Sequence, residues 1–204
     1  MPGAVVIINE FGEIGLDHLL IATPNENTVL LASGCICCTV RGDLVDTLRN
    51  LDKQRTRGEL PRFDRVLIET TGLADPVPIM QTVVADDHVA PRFEMDGVVT
   101  LVDAVNGMAQ LDQQREAIKQ AAVADRLLLT KTDLQAADKA LMARLKRLNA
   151  GAEVLPVSHG KIAPQQLFGA ALRGDAGKDA LQRWLPAVDD VGYTPVHDDQ
   201  VRSY

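Results

Sequence analysis

Short aliphatic runs recur along the chain, separated by segments with helical spacing, and this alternation restricts the fold more than any other feature of the sequence. The runs are Val5–Ile8, Thr28–Ala32, Arg65–Glu69, Gly97–Asp103, Arg126–Thr130 and Glu153–Val157. Several are apolar at nearly every position, as strands covered on both faces require. Between them, Asp43–Arg55 carries Leu44, Leu48 and Leu51 at helical spacing, and Ala136–Leu148 carries Leu141, Leu145 and Leu148. Gln113–Ala124 follows a similar pattern. Strands alternating with helices predict an α/β protein with a doubly wound, mostly parallel sheet. Ligands of such sheets gather at the carboxyl ends of the strands, so the residues that follow each run carry the functional question.

Composition narrows the classes. The 204 residues are 46% hydrophobic and only 3% aromatic, so Val, Leu, Ile and Ala must fill one core of ordinary size. A net charge of −7 argues against a broad nucleic-acid surface. No stretch approaches the roughly 20 apolar residues of a membrane helix. Met1-Pro2-Gly3 leads directly into Ala4-Val5-Val6 without a basic start, unlike a signal peptide. The expectation is a cytoplasmic protein with no membrane and no nucleic-acid partner.

The cysteines are clustered. All three lie in Cys35-Ile36-Cys37-Cys38, an odd number that does not suit a secreted disulfide framework. A thiol used only for packing is expected alone, whereas three together form a soft site for a transition-metal ion or a redox site. Cys35 and Cys38 have Cys-x-x-Cys spacing, so a thiol redox protein stays an alternative, as does a non-enzymatic thiolate metal-binding module. If the segment is extended, Cys35 and Cys37 face one way and Cys38 the other. Two thiolates, a carboxylate and water complete a tetrahedral Zn²⁺ or Co²⁺ site. The nearby loop Asn9–Asp17 is acidic and punctuated by glycine, with Glu10 and Glu13 available to a cation. The four histidines show no HxxH or HExxH spacing.

Two strand ends suggest phosphate and base chemistry. Arg65–Glu69 runs into Thr70-Thr71-Gly72. Glu69 is placed to hold the Mg²⁺ shell, and Gly72 lets a backbone N–H approach a γ-phosphate oxygen without a Cβ; a strand followed by a plain turn fits the same residues. Arg126–Thr130 ends in Lys131-Thr132-Asp133. The Asp133 carboxylate can accept from guanine N1–H and N2–H₂ together, a donor pair adenine lacks, and the stem of Lys131 can lie over the base. The usual motif is Asn-Lys-x-Asp, and Thr130 stands here in the place of Asn. Asp103 also ends a strand; the sequence assigns it no chemistry.

Five blocks occur in order: Asn-Glu-Phe-Gly-Glu from Asn9, Gly-Cys-Ile-Cys-Cys from Gly34, Glu-Thr-Thr-Gly-Leu-Ala-Asp-Pro from Glu69, Asp-Gly-Val-Val-Thr-Leu-Val-Asp-Ala from Asp96, and Thr-Lys-Thr-Asp from Thr130. This series resembles the CobW family of GTPases and metallochaperones, relatives of the nickel-insertion GTPases, over about residues 5–161. The resemblance implies a P-loop NTPase-like fold, slow GTP hydrolysis with Mg²⁺, and handling of Zn²⁺, Co²⁺ or a similar ion for a client metalloprotein. A homodimer is compatible with it. It assigns Glu69 as the Walker B acid, Gly72 as the γ-phosphate sensor, and Lys131 and Asp133 as guanine readers beside Thr130. Ser158 and His159 fall in the late loop that closes over the base. Cys35, Cys37 and Cys38 match the metal motif, with Glu10 and Glu13 in the switch-like segment.

The family also implies a first strand followed by Gly-x-x-Gly-x-Gly-Lys-Thr-Thr. No such sequence occurs in this chain. The expectation is a nucleotide-binding domain over residues 1–187, N-terminally short, and a tail over residues 188–204 leading toward a further domain. The family hydrolyses GTP; this chain by itself is expected to bind the nucleotide weakly.

Overall fold

The protein is described from a computed structural model, covering residues 3–9, 28–30, 40–70, 72, 74–136 and 138–169. Strands β1 (Gly3–Asn9) and β2 (Thr28–Leu30) precede helix α1 (Val40–Arg57). Strand β3 (Phe63–Thr70) leads to α2 (Val77–Ala85), and β4 (Val99–Asp103) to α3 (Gly107–Gln113) and α4 (Arg115–Val123). Strand β5 (Arg126–Thr130), α5 (Lys139–Leu148) and β6 (Glu153–Pro156) follow, then a 3-10 turn over Pro164–Gln166.

Among the described residues every ladder is parallel, in two three-stranded sheets of order β2-β1-β3 and β4-β5-β6. The first sheet packs Val5, Ile7 and Phe63 against Leu44, Leu48 and Leu51 of α1 and Ile79 and Val83 of α2. The second packs Val102, Leu127 and Leu129 against Leu111 of α3, Ala121 of α4, and Leu141 and Leu145 of α5. The helical spacing of the leucines in α1 and α5 thus marks their buried faces, as an amphipathic helix requires.

Coverage on both faces holds for β5, whose first four residues are all buried. β3 and β4 instead leave alternate residues open: Leu67 is 39% exposed and Leu101 68%. No ladder joins β3 to β4 among the described residues. Contacts span the two sheets elsewhere. Arg65 pairs with Asp96 (2.6 Å), whose other carboxylate oxygen accepts the N–H of Gly169 (2.8 Å).

Two helical segments differ from the sequence expectation. α2 was not expected; its first turn follows Pro76 and includes Pro78, tolerated there because the first helical N–H groups have no partner within the helix. The pattern over Gln113–Ala124 is broken at Gln114, which is extended (φ −121, ψ 114). Arg144 of α5 donates to the carbonyl of Leu111 (2.7 Å) and pairs with Asp112, satisfying the end of α3 from a distant helix. No helix among the described residues is long and apolar enough to cross a membrane.

Candidate functional site

The carboxyl end of β5 opens into a tight turn. Lys131 leaves the strand in the left-handed region (φ 58), and its carbonyl accepts the N–H groups of Leu134 (3.0 Å) and Gln135 (3.2 Å). The residues of the turn are drawn in different directions. The Lys131 ammonium donates to Asp103 at the end of β4 (2.6 Å). Asp133 lies on the other side: it accepts from the Ser158 hydroxyl (3.4 Å), and its oxygen is 3.3 Å from Nδ1 of His159. Between them Thr132 donates to the Val157 carbonyl (3.2 Å). The Thr130 hydroxyl donates to the Val102 carbonyl (3.3 Å), tying β5 to β4. The structure therefore brings Thr130, Lys131, Asp133, Ser158 and His159 to one strand end.

The loop after β6 owes its shape to its own sequence. His159 and Gly160 both have positive φ (52 and 68), and the Lys161 N–H closes on the Ser158 carbonyl at 2.9 Å. Two successive left-handed residues inside a four-residue turn are the signature of a type I′ turn. Glycine accepts that conformation freely and histidine more readily than most side chains. The turn holds Ser158 and His159 against Asp133.

Both carboxylates of the site are held below their ordinary pKa. For Asp103, burial disfavours the charge. The Lys131 ammonium, the N–H groups of Val105 and Asn106 and the Asn106 amide outweigh it, bringing the pKa down to about 2. For Asp133 desolvation again opposes ionisation; its own N–H, the ring and N–H of His159 and the charge of that ring hold the carboxyl below its ordinary value. An ionised, partly exposed carboxylate with open acceptor capacity suits a ligand that offers two adjacent N–H donors.

At the end of β3, Glu69 is exposed and pairs in register with Ile8. A Cβ added to Gly72 would meet nothing within 4 Å, and this glycine has no left-handed φ. Neither packing nor backbone conformation in this chain calls for glycine there, whereas close approach of a ligand to the N–H would. An exposed carboxylate at a strand end, followed by such a glycine, fits the outer shell of a Mg²⁺ ion that accompanies a phosphate. The Gly72 segment is held from α4: the Gln120 amide donates to the carbonyls of Gly72 (3.1 Å) and Ala74 (2.8 Å), and Lys119 pairs with Asp75 (2.8 Å).

Cys35, Cys37, Cys38, Glu10 and Glu13 lie outside the described residues. Sequence reasoning missed three contributors. Asp103 lies in the Asp96–Ala104 block, but its role becomes visible only when β4 pairs with β5, bringing Asp103 opposite Thr130. Gln120 sits on a helix with no local sign of its role. Thr132 occupies the unspecified position of Lys-x-Asp.

Residues 3–156 match the model of the CobW/HypB/UreG nucleotide-binding domain. The chain is 44% identical over 163 residues to the zinc chaperone YjiA of Escherichia coli, covering 80% of this chain and 51% of that protein. It is 32% identical over 166 residues to the zinc-regulated GTPase metalloprotein activator 1 of Schizosaccharomyces pombe, covering 77% and 39%. The chain thus spans about half the length of these relatives or less. The crystal structure of the Zn(II)-bound YjiA GTPase from E. coli superposes with a TM-score of 0.60 at 33% identity, over 83% of this chain and 62% of that one. A Zn(II)-bound triple mutant of the same GTPase gives 0.62 at 35% identity, over 83% and 53%. With a match over most of its length and a parallel α/β fold shared with a solved member, this chain belongs to the CobW/HypB/UreG family of nucleotide-binding domains.

Proposed function

We propose that this chain is the nucleotide-binding domain of a GTP-dependent metallochaperone that handles Zn²⁺, or Co²⁺ in its place, for a client metalloprotein. The observation that carries the reading is the carboxylate of Asp133, held below its ordinary pKa and braced by Ser158 and His159 at one edge of the β5 end, with Lys131 tied to Asp103 at the other. In this reading Asp133 accepts from guanine N1–H and N2–H₂. An adenine there would leave the carboxylate without its donors. Ser158 and His159 orient that carboxylate and close the edge of the base site, and Thr130 ties the floor to β4.

The phosphate side of the reading rests on Glu69 and Gly72. Water attacks the γ-phosphorus, the bond to the β-phosphate oxygen breaks, and inorganic phosphate leaves. Glu69 is the residue that would hold Mg²⁺, and the ion would offset negative charge on the phosphate oxygens. The Gly72 N–H donates to a γ-phosphate oxygen. The transported ion is bound by Cys35 and Cys37, with Cys38, Glu13 and Glu10 as further candidates, and the acidic loop links its release to hydrolysis.

Because no Walker A sequence occurs among the 204 residues, the base contacts are best tested without phosphates. Saturation-transfer NMR with guanosine and adenosine measures them directly. Guanosine is expected to bind more tightly than adenosine, and Asp133→Asn to remove the difference. Equal binding of both nucleosides to the unmodified chain would contradict the reading.

A further inference from the structure

Lys131 and Asp133 are two residues apart in one turn, yet their charged groups are held at opposite edges of the β5 end. Lys131 is tied to Asp103 after β4 and Asp133 to Ser158 and His159 after β6. The ground between them lies over the end of β5. If a planar base hydrogen-bonded to Asp133 lies across this ground, the methylene stem of Lys131 is the part of that residue able to meet its face.

A free lysine would not offer that surface. Its side chain is 51% exposed, and an untethered stem of four carbons would be ordered only on binding, at a cost in rotamer entropy. Here the ammonium is held at 2.6 Å by a carboxylate that is itself only 13% exposed. That carboxylate is fixed in turn: one oxygen accepts the N–H groups of Val105 (2.8 Å) and Asn106 (3.2 Å), the other the Asn106 amide (3.3 Å) as well as Lys131. Most exposed ion pairs join two mobile side chains and contribute little. This one joins a lysine to an anchored acceptor, and the lysine keeps a left-handed backbone (φ 58) uncommon for a residue with a long side chain.

We propose that Asp103 is a positioning residue of the base site: it tethers the Lys131 ammonium to the end of β4, so that the lysine stem is laid out in advance as the floor on which the base stacks. The inference rests on the reading of Asp133 as the guanine acceptor. Asp103 touches no ligand atom; it acts through Lys131 and sets affinity, while Asp133 sets the choice of base.

The test uses the full chain, guanosine and adenosine as probes, and four variants. Asp103→Asn removes the anchoring charge. Lys131→Met keeps an apolar stem, removes the ammonium and leaves the contacts of Asp103 with Val105 and Asn106 intact, so it decides the matter if Asp103→Asn fails to fold. Each is expected to weaken guanosine binding by roughly threefold to tenfold while preserving its preference over adenosine, and the double variant to be no weaker than either single one. The ¹⁵Nζ ammonium signal of Lys131 is expected in the unmodified chain and lost in Asp103→Asn. Unchanged guanosine affinity in Lys131→Met, or additive losses in the double variant, would overturn the tether while leaving the base reading in place. Loss of base preference would separately mark the failure of that reading: no preference in the unmodified chain, or one that survives in Asp133→Asn, removes the base site and the tether with it.

Discussion

The side-chain amide of Gln120, on α4, donates to the backbone carbonyl of Gly72 at 3.1 Å, just past the end of β3. The same nitrogen reaches the backbone carbonyl of Ala74 at 2.8 Å, and the backbone carbonyl of Gln120, which Gln120→Ala would keep, accepts the Thr100 hydroxyl of β4 at 2.8 Å. One residue therefore connects β4 to the loop after β3, although no ladder joins the two strands. Gln120→Ala is expected to cost about 1 kcal/mol, the usual net worth of such hydrogen bonds. It should also speed amide exchange in residues 74–77. Unchanged exchange there would show that the loop is held by other contacts.

Gly72 separates structural from ligand-related demands. Because an added Cβ meets nothing and no left-handed φ is involved, Gly72→Ala is expected to leave stability unchanged or to raise it by up to about 1 kcal/mol through the unfolded state. A loss larger than that in urea denaturation would reveal a structural need for glycine and weaken its assignment to phosphate contact.

Asp103 predicts a pH signature. Its folded pKa lies near 2, below its ordinary 3.8, so the folded state favours the ionised form. The stabilisation is present above pH 4 and is lost as pH falls toward 2; solvent screening at the half-exposed Lys131 ammonium holds its size to at most about 2 kcal/mol. The stability difference between the unmodified chain and Asp103→Asn should be flat from pH 5 to 7 and shrink toward pH 2. A difference that persists undiminished at pH 2 would show that ionisation of Asp103 is not the source.

Leu101 in β4 is 68% exposed, and Leu67 in β3 is 39% exposed. Open, apolar strand edges template association. Leu101→Lys is expected to change stability by less than about 0.5 kcal/mol, as surface substitutions do, and to lower self-association in light scattering. Equal scattering before and after the change would place the association surface elsewhere.

Cobalt titration under reducing conditions addresses the cysteines. Thiolate-to-cobalt charge-transfer absorption is expected to saturate near one equivalent, to vanish in Cys37→Ser and to weaken less in Cys38→Ser. A larger loss from Cys38→Ser would reverse the choice of thiolate pair.

What was legible in the sequence had a local cause. Leu44, Leu48 and Leu51 share one helical face whatever surrounds them, and they are buried as that spacing demands. Lys131 and Asp133 stood out because they follow an unbroken apolar run, and strand ends are where a parallel sheet gathers its ligands. What was hidden depended on partners far along the chain. Asp103 meets Lys131 across 28 positions, Gln120 meets Gly72 across 48, and Arg144 ends α3 across 33. No window of the sequence contains both members of these pairs. The prolines at the start of α2 hid a helix because proline disrupts helix interiors, while the first turn tolerates it.

Amide chemical-shift mapping with guanosine tests the central claim most directly. The account predicts shifts concentrated at Lys131–Leu134 and Val157–Lys161, larger with guanosine than with adenosine and absent in Asp133→Asn. Shifts that avoid both segments, or that are equal for the two nucleosides, would contradict it.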